Sequence, residues 1–263
     1  MATEKSSTHE RYHVPNLKRG LEVFELLAKN PDGLTLPQIS KTAGYSKSSI
    51  FRILCTLEDC GYISKNNDER TFRMSRKLAA LGYAAFGESN IVEKSMDILR
   101  QMRDTLGETA MLGTMLDEAC VMIEQAPGTQ SFKFLGEIGM RISFHASAPG
   151  KAMLAFLPKD ELERRLKKAK FTKFNNNTIV DKKVFLAELE VVKKKGYAFD
   201  INEVIEGVSC VGAPIFDAHG YPVATIWITG PSERIKAEEL DSVGKVVKSY
   251  ADKISARLGY GLI

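Results

Sequence analysis

Leu34–Tyr62, LTLPQISKTAGYSKSSIFRILCTLEDCGY, reads as two short helices joined by a glycine-containing turn. The first helix is predicted over about Leu36–Thr42 and buries Ile39 and Ala43. Gly44 supplies the turn and Ser46 is a good N-cap. Ile50, Ile53, Leu54 and Leu57 then form one apolar stripe of the second helix. Its other face begins polar and basic, with Ser46, Lys47, Ser48, Ser49 and Arg52. From Leu34 to Leu57 there is no acid, and the bases are Lys41, Lys47 and Arg52. One face held by its own domain and one free, basic face is how a helix-turn-helix enters the major groove. In that frame Arg52 is the candidate for bidentate guanine readout. Lys47 and the serines are candidates for phosphate, helped by the positive helix N-terminus.

The flanks extend the motif. Leu17, Leu21, Phe24, Leu27 and Ala28 recur at helical spacing, and Asn30-Pro31-Asp32-Gly33 ends that helix. Beyond Gly61, Tyr62-Ile63-Ser64 and Thr71–Met74 flank an Asn-rich turn and predict a hairpin. A hairpin in that place is a wing, whose Lys65, Arg70 and Arg73 would add phosphate or minor-groove contacts. SRKLAALGYAAFGE, residues 75–88, reads as a helical connector. The expected division is a disordered arm over 1–14, a winged helix-turn-helix domain over 15–75, a linker helix over 76–89 and a second domain over 90–263.

Charge follows that division. The formal net charge is +4 over 263 residues. Residues 1–77 carry 13 Lys/Arg against 9 Asp/Glu, and residues 78–263 carry 24 of each, so the excess lies with the candidate DNA reader. Hydrophobic residues at 44% and charged residues at 27% fit an ordinary globular protein. No apolar run is long enough to span a bilayer. MATEKSSTHERYH lacks the apolar core of a signal peptide, so a cytoplasmic location is expected. Cys55, Cys60, Cys120 and Cys210 show no metal-type pairing with the histidines, and reduced thiols are expected.

The second domain mixes strands and helices. An amphipathic helix is predicted over Ile91–Leu106. Strands are predicted at Thr109–Leu116, Cys120–Gln125, Arg141–His145, Tyr197–Asp200, Val208–Phe216 and Val223–Thr229. Helices are predicted at Gly150–Leu157, Lys159–Lys168, Lys182–Lys195 and Ala237–Leu258. Hairpin-like neighbours indicate a mostly antiparallel α+β domain. His145-Ala146-Ser147-Ala148-Pro149-Gly150-Lys151 is a small-residue loop entering a helix, a ready site for a carboxylate. An enzyme using Cys210 as nucleophile and His145 as base is the alternative reading. No elbow motif, orienting third residue or metal set supports it, so no catalytic residue and no cofactor are expected.

From about Leu17 to its end the chain resembles the IclR family of bacterial transcriptional regulators. LKRGLEVFELLA, YSKSSIFRILCTLEDCGYI and FRMSRKLAALG are similar to the family's winged helix. LGETAMLGTML, FHASAPGKAMLAFLP, GYAFDINEVIEGVSCVGAPIFD and GYPVATIWITGPSERI follow its effector domain in order. The resemblance implies a GAF-like ligand domain, an operator of double-stranded DNA, and homodimers or dimer-of-dimers tetramers. It implies a ligand-responsive regulator, expected to be a repressor, with a small organic acid as effector. It places the effector against Ala148, Pro149, Gly150, Asp200, Cys210, Trp227 and Thr229. Two departures stand out. Pro149 has no N–H to donate. Trp227 occupies a strand position where some relatives carry a small hydroxyl residue, which favours an aromatic or mixed acid. Other roles stay open: Asp200 as the cap of a helix over Ile201–Glu206, Cys210 and Trp227 as core, and His145 as a structural residue.

Overall fold

The computed structural model describes residues 14–66, 68–78, 81 and 91–261. The chain divides into two compact units, Met1–Glu88 and Ser89–Ile263. The predicted arm, Val14 apart, lies outside the described residues. So does most of the predicted connector beyond Leu78.

The first unit runs α1 (Pro15–Ala28), β1 (Leu34–Thr35), α2 (Leu36–Ala43), α3 (Lys47–Asp59), β2 (Ile63–Asn66) and β3 (Thr71–Met74). Thr35 and Gln38 form a capping box at the start of α2, with the Thr35 N–H donating to Gln38 Oε1 at 2.8 Å. Gly44 ends α2 in the left-handed region, φ +74°, which a side chain would make costly. Ser46 caps α3 by accepting the Ser49 N–H. Val23, Leu27, Ile39, Ile50, Leu54, Ile63 and Phe72 bury together as the core. The wing is larger than the predicted hairpin, because β3 pairs antiparallel with both β2 and β1. At two residues β1 is too short to show alternation in the sequence.

The second unit runs α4 (Ile91–Leu106), β4 (Thr109–Leu116), β5 (Ala119–Ala126), β6 (Arg141–Ser143), α5 (Ala148–Leu154), α6 (Lys159–Lys168), α7 (Lys182–Lys195), β7 (Ala198–Ile201), β8 (Val208–Phe216), β9 (Pro222–Pro231) and α8 (Leu240–Arg257). Its six strands form one sheet in the order β6-β5-β4-β9-β8-β7, every neighbouring pair antiparallel. The two-residue strand period splits the side chains between two faces. Ala110, Leu112, Val211, Ala213, Ile215, Ile226 and Ile228 pack with α4 and α8 into one core. Met111, Cys120, Met122 and Trp227 lie on the other face. At the β7 end, Ala198 packs with α5, α6 and α7 around Phe144 and Phe185.

Three local expectations change. The helix predicted from Gly150 starts at Ala148, because Pro149 sits in its first turn, where a missing N–H costs nothing. A 3-10 turn at Ala237–Glu239 precedes α8. No helix follows Asp200: residues 202–207 are bends and turns, with Asn202 at φ +57°. Asp200 instead accepts the Glu203 N–H at 2.8 Å and braces that loop.

Candidate functional site

On α3, Ser46, Lys47, Ser48 and Arg52 are exposed and Ser49 is half-buried. The buried stripe Ile50, Ile53 and Leu54 fixes that orientation. Phe51, 56% exposed, stands on the outer side. Arg19 of α1 stacks 5.0 Å over the Tyr45 ring and reaches Ser49 Oγ at 3.4 Å, so α1 steadies the start of α3. In the wing, Lys65 and Arg70 are exposed, and Arg70 takes a left-handed φ of +52° at the turn. Arg73 is committed inside the domain: its Nε donates to the Asp32 carbonyl at 2.7 Å and it pairs with Glu69 at 3.1 Å. It staples β3 to the loop after α1.

In the second unit the sheet register brings the other candidates together. Asp200 of β7 lies opposite Cys210 of β8, and Cys210 lies opposite Thr229 of β9. Such partners stand about 5 Å apart on one face. The Cys210 thiol and Thr229 hydroxyl share a hydrogen bond of 3.3 Å. Two residues along, on the same face, Gly212 lies opposite Trp227. A Cβ at Gly212 would come within 3.1 Å of the Ala148 and Pro149 backbone, so the start of α5 rests directly on β8. Trp227 is 2% exposed and packs with Met111, Cys120 and Met122, its ring close over Gly113. The ring fills the face toward β5 and leaves the Asp200–Cys210–Thr229 row as the polar end.

The amides of α5 are not free in the way a bare loop would offer them. The Gly150 N–H donates to Ser147 Oγ, and Pro149 has none. Sequence reasoning missed the strongest electrostatic feature here. Lys151, 1% exposed, donates to the Phe199 carbonyl at 3.0 Å and pairs with Glu203. The other Glu203 oxygen is buried and finds no partner among the described residues. The available signal was a lone lysine within the otherwise small and apolar run APGKAMLAFL.

Burial governs the protonation states. It raises Asp200 to about 7, with the Glu203 charge adding to the rise; the Glu203 N–H and Lys151 oppose it. Burial also raises Glu203 against the opposing pull of Lys151. Burial and then Asp200 hold the Cys210 thiol above its ordinary range, so it is no thiolate nucleophile. His145 is lowered by burial, and its ring nitrogens face Ser143 Oγ at 2.9 Å and the Thr172 carbonyl at 3.0 Å. Its partners make it a structural residue and leave the Cys210–His145 enzyme reading without a nucleophile–base pair.

Asp200 should therefore work against stability as pH rises. A carboxyl raised from 3.8 to about 7 binds more protons folded than unfolded between those values. Its contribution is complete below the unfolded pKa and is lost as pH climbs through the folded one. Asp200→Asn keeps an acceptor for the Glu203 N–H and carries no charge. Urea unfolding should show the variant more stable than the parent at pH 8, by up to a few kcal/mol, the gap shrinking toward pH 4. An equal gap at both pH values would contradict this.

Among the described residues no helix is long and apolar enough to cross a membrane, and no group of three or more His, Cys, Asp or Glu is placed to hold a metal ion. Comparison with known proteins accounts for both units. Residues 16–67 match the IclR helix-turn-helix domain, and residues 83–256 match the bacterial transcriptional regulator IclR C-terminal domain. The chain is 30% identical over 239 residues to the HTH-type transcriptional regulator BhcR of Paracoccus denitrificans, covering 91% of this chain and 85% of that protein. It is 28% identical to the transcriptional repressor IclR of Escherichia coli, covering 94% and 90%. The solved structure of Thermotoga maritima IclR superposes with a TM-score of 0.70 at 32% identity, over 94% of this chain and all of that one. With a basic recognition helix in one unit and a six-stranded α+β sheet in the other, the chain belongs to the IclR family: it is a DNA-binding transcriptional regulator with a C-terminal effector domain, and not an enzyme.

Proposed function

We propose that the protein is a repressor whose operator affinity is set by a small organic acid. The observation that carries this reading is the convergence of Asp200, Cys210 and Thr229 beside the start of α5, on the sheet face that α4 and α8 leave free. Ala148, Pro149, Gly150 and Trp227 complete the walls. Relatives named as repressors, such as the acetate operon repressor of Salmonella typhimurium, support the sign of regulation. The effector shifts the balance between two arrangements of the DNA heads by its difference in affinity for them. Two or four copies act together, since paired heads read paired half-sites. A thermal-shift screen of organic acids tests the reading, because a ligand of the folded state raises the midpoint. No shift with any acid would sink it.

DNA contact falls to the exposed residues of α3, Ser46, Lys47, Ser48 and Arg52, with Ser49 at their inner edge and Lys65 and Arg70 in the wing. Arg73, already bound to Asp32 and Glu69, serves the wing's shape before any phosphate. Arg52→Ala removes an exposed side chain, so the fold should survive. Specific operator affinity should fall about 5- to 150-fold in a gel shift, from about 1–3 kcal/mol of lost readout. Lys47→Ala should weaken all sequences alike and flatten the salt dependence by about one unit of slope. A genomic pull-down without any enriched site would overturn the DNA assignment.

A further inference from the structure

We propose that a carboxylate effector enters this site together with one proton, which Asp200 holds at the contact, so that the pocket recognises the acid rather than its anion. The proposal rests on the effector reading above and adds its protonation and its dependence on pH.

Two positions of α5 that usually greet a carboxylate offer it no free amide. In the first turn of α5, Pro149 has no N–H and the Gly150 N–H is bound to Ser147 Oγ. Lys151, facing from α5, spends its ammonium on the Phe199 carbonyl and Glu203. The groups set against Asp200 supply no other positive charge. From the loop after β7 comes the Glu203 carboxylate, which lies in turn under the influence of Glu188 on α7. From β8 comes the Cys210 thiol, held protonated by burial. His145, ahead of α5, is held neutral by burial, with both ring nitrogens engaged.

With Asp200 ionised, this buried group holds two carboxylates against one ammonium. A third carboxylate beside Asp200 would place like charges together in a dry setting, where one of the pair takes a proton. Protonation solves two problems at once. It cancels the local excess of negative charge. It also turns Asp200 into a donor: one oxygen still accepts the Glu203 N–H at 2.8 Å, and the other offers an O–H. That O–H supplies a donor that Pro149, without an N–H, cannot. The burial that raises Asp200 to about 7 means that solvent supplies this proton at neutral pH with little cost. No bond to carbon changes; the proton comes from water or buffer and returns there on release.

Linkage then fixes the expected slope. The observed affinity for a fully ionised acid is constant well below the Asp200 pKa and falls about tenfold per pH unit above it, about 50-fold from pH 7 to pH 9. Calorimetric titration of the full-length protein with acetate and with benzoate, at pH 6 to 9 in phosphate and in Tris, measures this. The expected result is that loss of affinity, plus a difference in heat between buffers at pH 8 corresponding to uptake of nearly one proton. Asp200→Asn, checked for folding by circular dichroism, should remove the slope and the uptake whatever its affinity at pH 6. The parent's buffer dependence alone decides the matter if the variant does not fold. Affinity unchanged from pH 7 to 9 with no proton uptake would overturn the proposal and leave the effector site standing. A slope that persists in Asp200→Asn would overturn the assignment to Asp200. Benzylamine binding that tightens with pH would overturn it in favour of an ionised Asp200 recruiting a cation. Absence of binding by either acid at pH 6, in parent and variant, would overturn the proposal together with the site.

Discussion

Gly150→Ala should cost the effector domain a large part of its stability. A Cβ at Gly150 would lie 2.3 Å from the Phe144 carbonyl oxygen and 2.4 Å from the Phe144 Cα. Both are backbone atoms, so no rotamer change can relieve the contact. The segment cannot move away either. Phe144 packs against Phe171 and Phe185 in the α5–α7 core, and Ser147 hydrogen-bonds both the Ser143 carbonyl and the Gly150 N–H. Separation by an ångström or more would lift α5 from β8, where it already sits within contact distance of Gly212. Overpacking of well-filled interiors usually costs about 1–3 kcal/mol, and a clash against backbone belongs at or beyond the top of that range. Domains of this kind have only about 5–15 kcal/mol to lose. An unfolding free energy from urea titration within about 1 kcal/mol of the parent's would contradict the argument.

Lys151→Ala should be at least as damaging, for an electrostatic reason. The substitution strands the Glu203 carboxylate, one of whose oxygens already lacks a partner among the described residues. It also releases the Phe199 carbonyl. Breaking a buried pair from one side costs about 3–5 kcal/mol, because the remaining charge has no water to turn to. Glu203 would respond by taking a proton. The loss should therefore be smaller at pH 5 than at pH 8, since burial has already raised Glu203 and protonation removes the orphan charge. Lys151→Met in combination with Glu203→Gln should recover part of the loss, as replacing both partners leaves no charge behind. Additive losses in the double variant would show that the pair does not act as a unit.

The sequence was most legible where one element explains itself. Ser46, Gly44 and the Ile50–Leu57 stripe mark the helix-turn-helix through local chemistry alone, and α3 begins where its cap predicts. Strands such as β4 and β8 announce themselves by length and apolar content, and both have the bounds their pattern suggests. What stayed hidden depends on pairs distant in the chain. Lys151 and Glu203 are 52 residues apart and no spacing rule connects them. Arg73 meets the Asp32 carbonyl across 41 residues, so its basic character read as surface charge while the fold uses it as a staple. At Gly150 the sequence shows a small residue in a candidate anion loop, but not that the Phe144 backbone leaves no room for a side chain. Asp200 suggested a helix cap because an aspartate before a polar run often is one; the compact turn closed by the Asn202 N–H on the Val208 carbonyl took precedence.

The alternation of the central strands has a consequence for how this domain can change during evolution. On β8, Cys210 faces the polar row while Val211, its neighbour, is fully buried against α4 and α8; on β9, Trp227 and Ile228 divide in the same way. Two neighbouring codons thus answer to different selective pressures, one chemical and one architectural. New ligand preferences can accumulate at every second position without disturbing the helices behind the sheet. An insertion or deletion of one residue in β8 or β9 would exchange the two sets at once. Substitution at alternate positions, at constant strand length, is the route by which such a sensor can diversify.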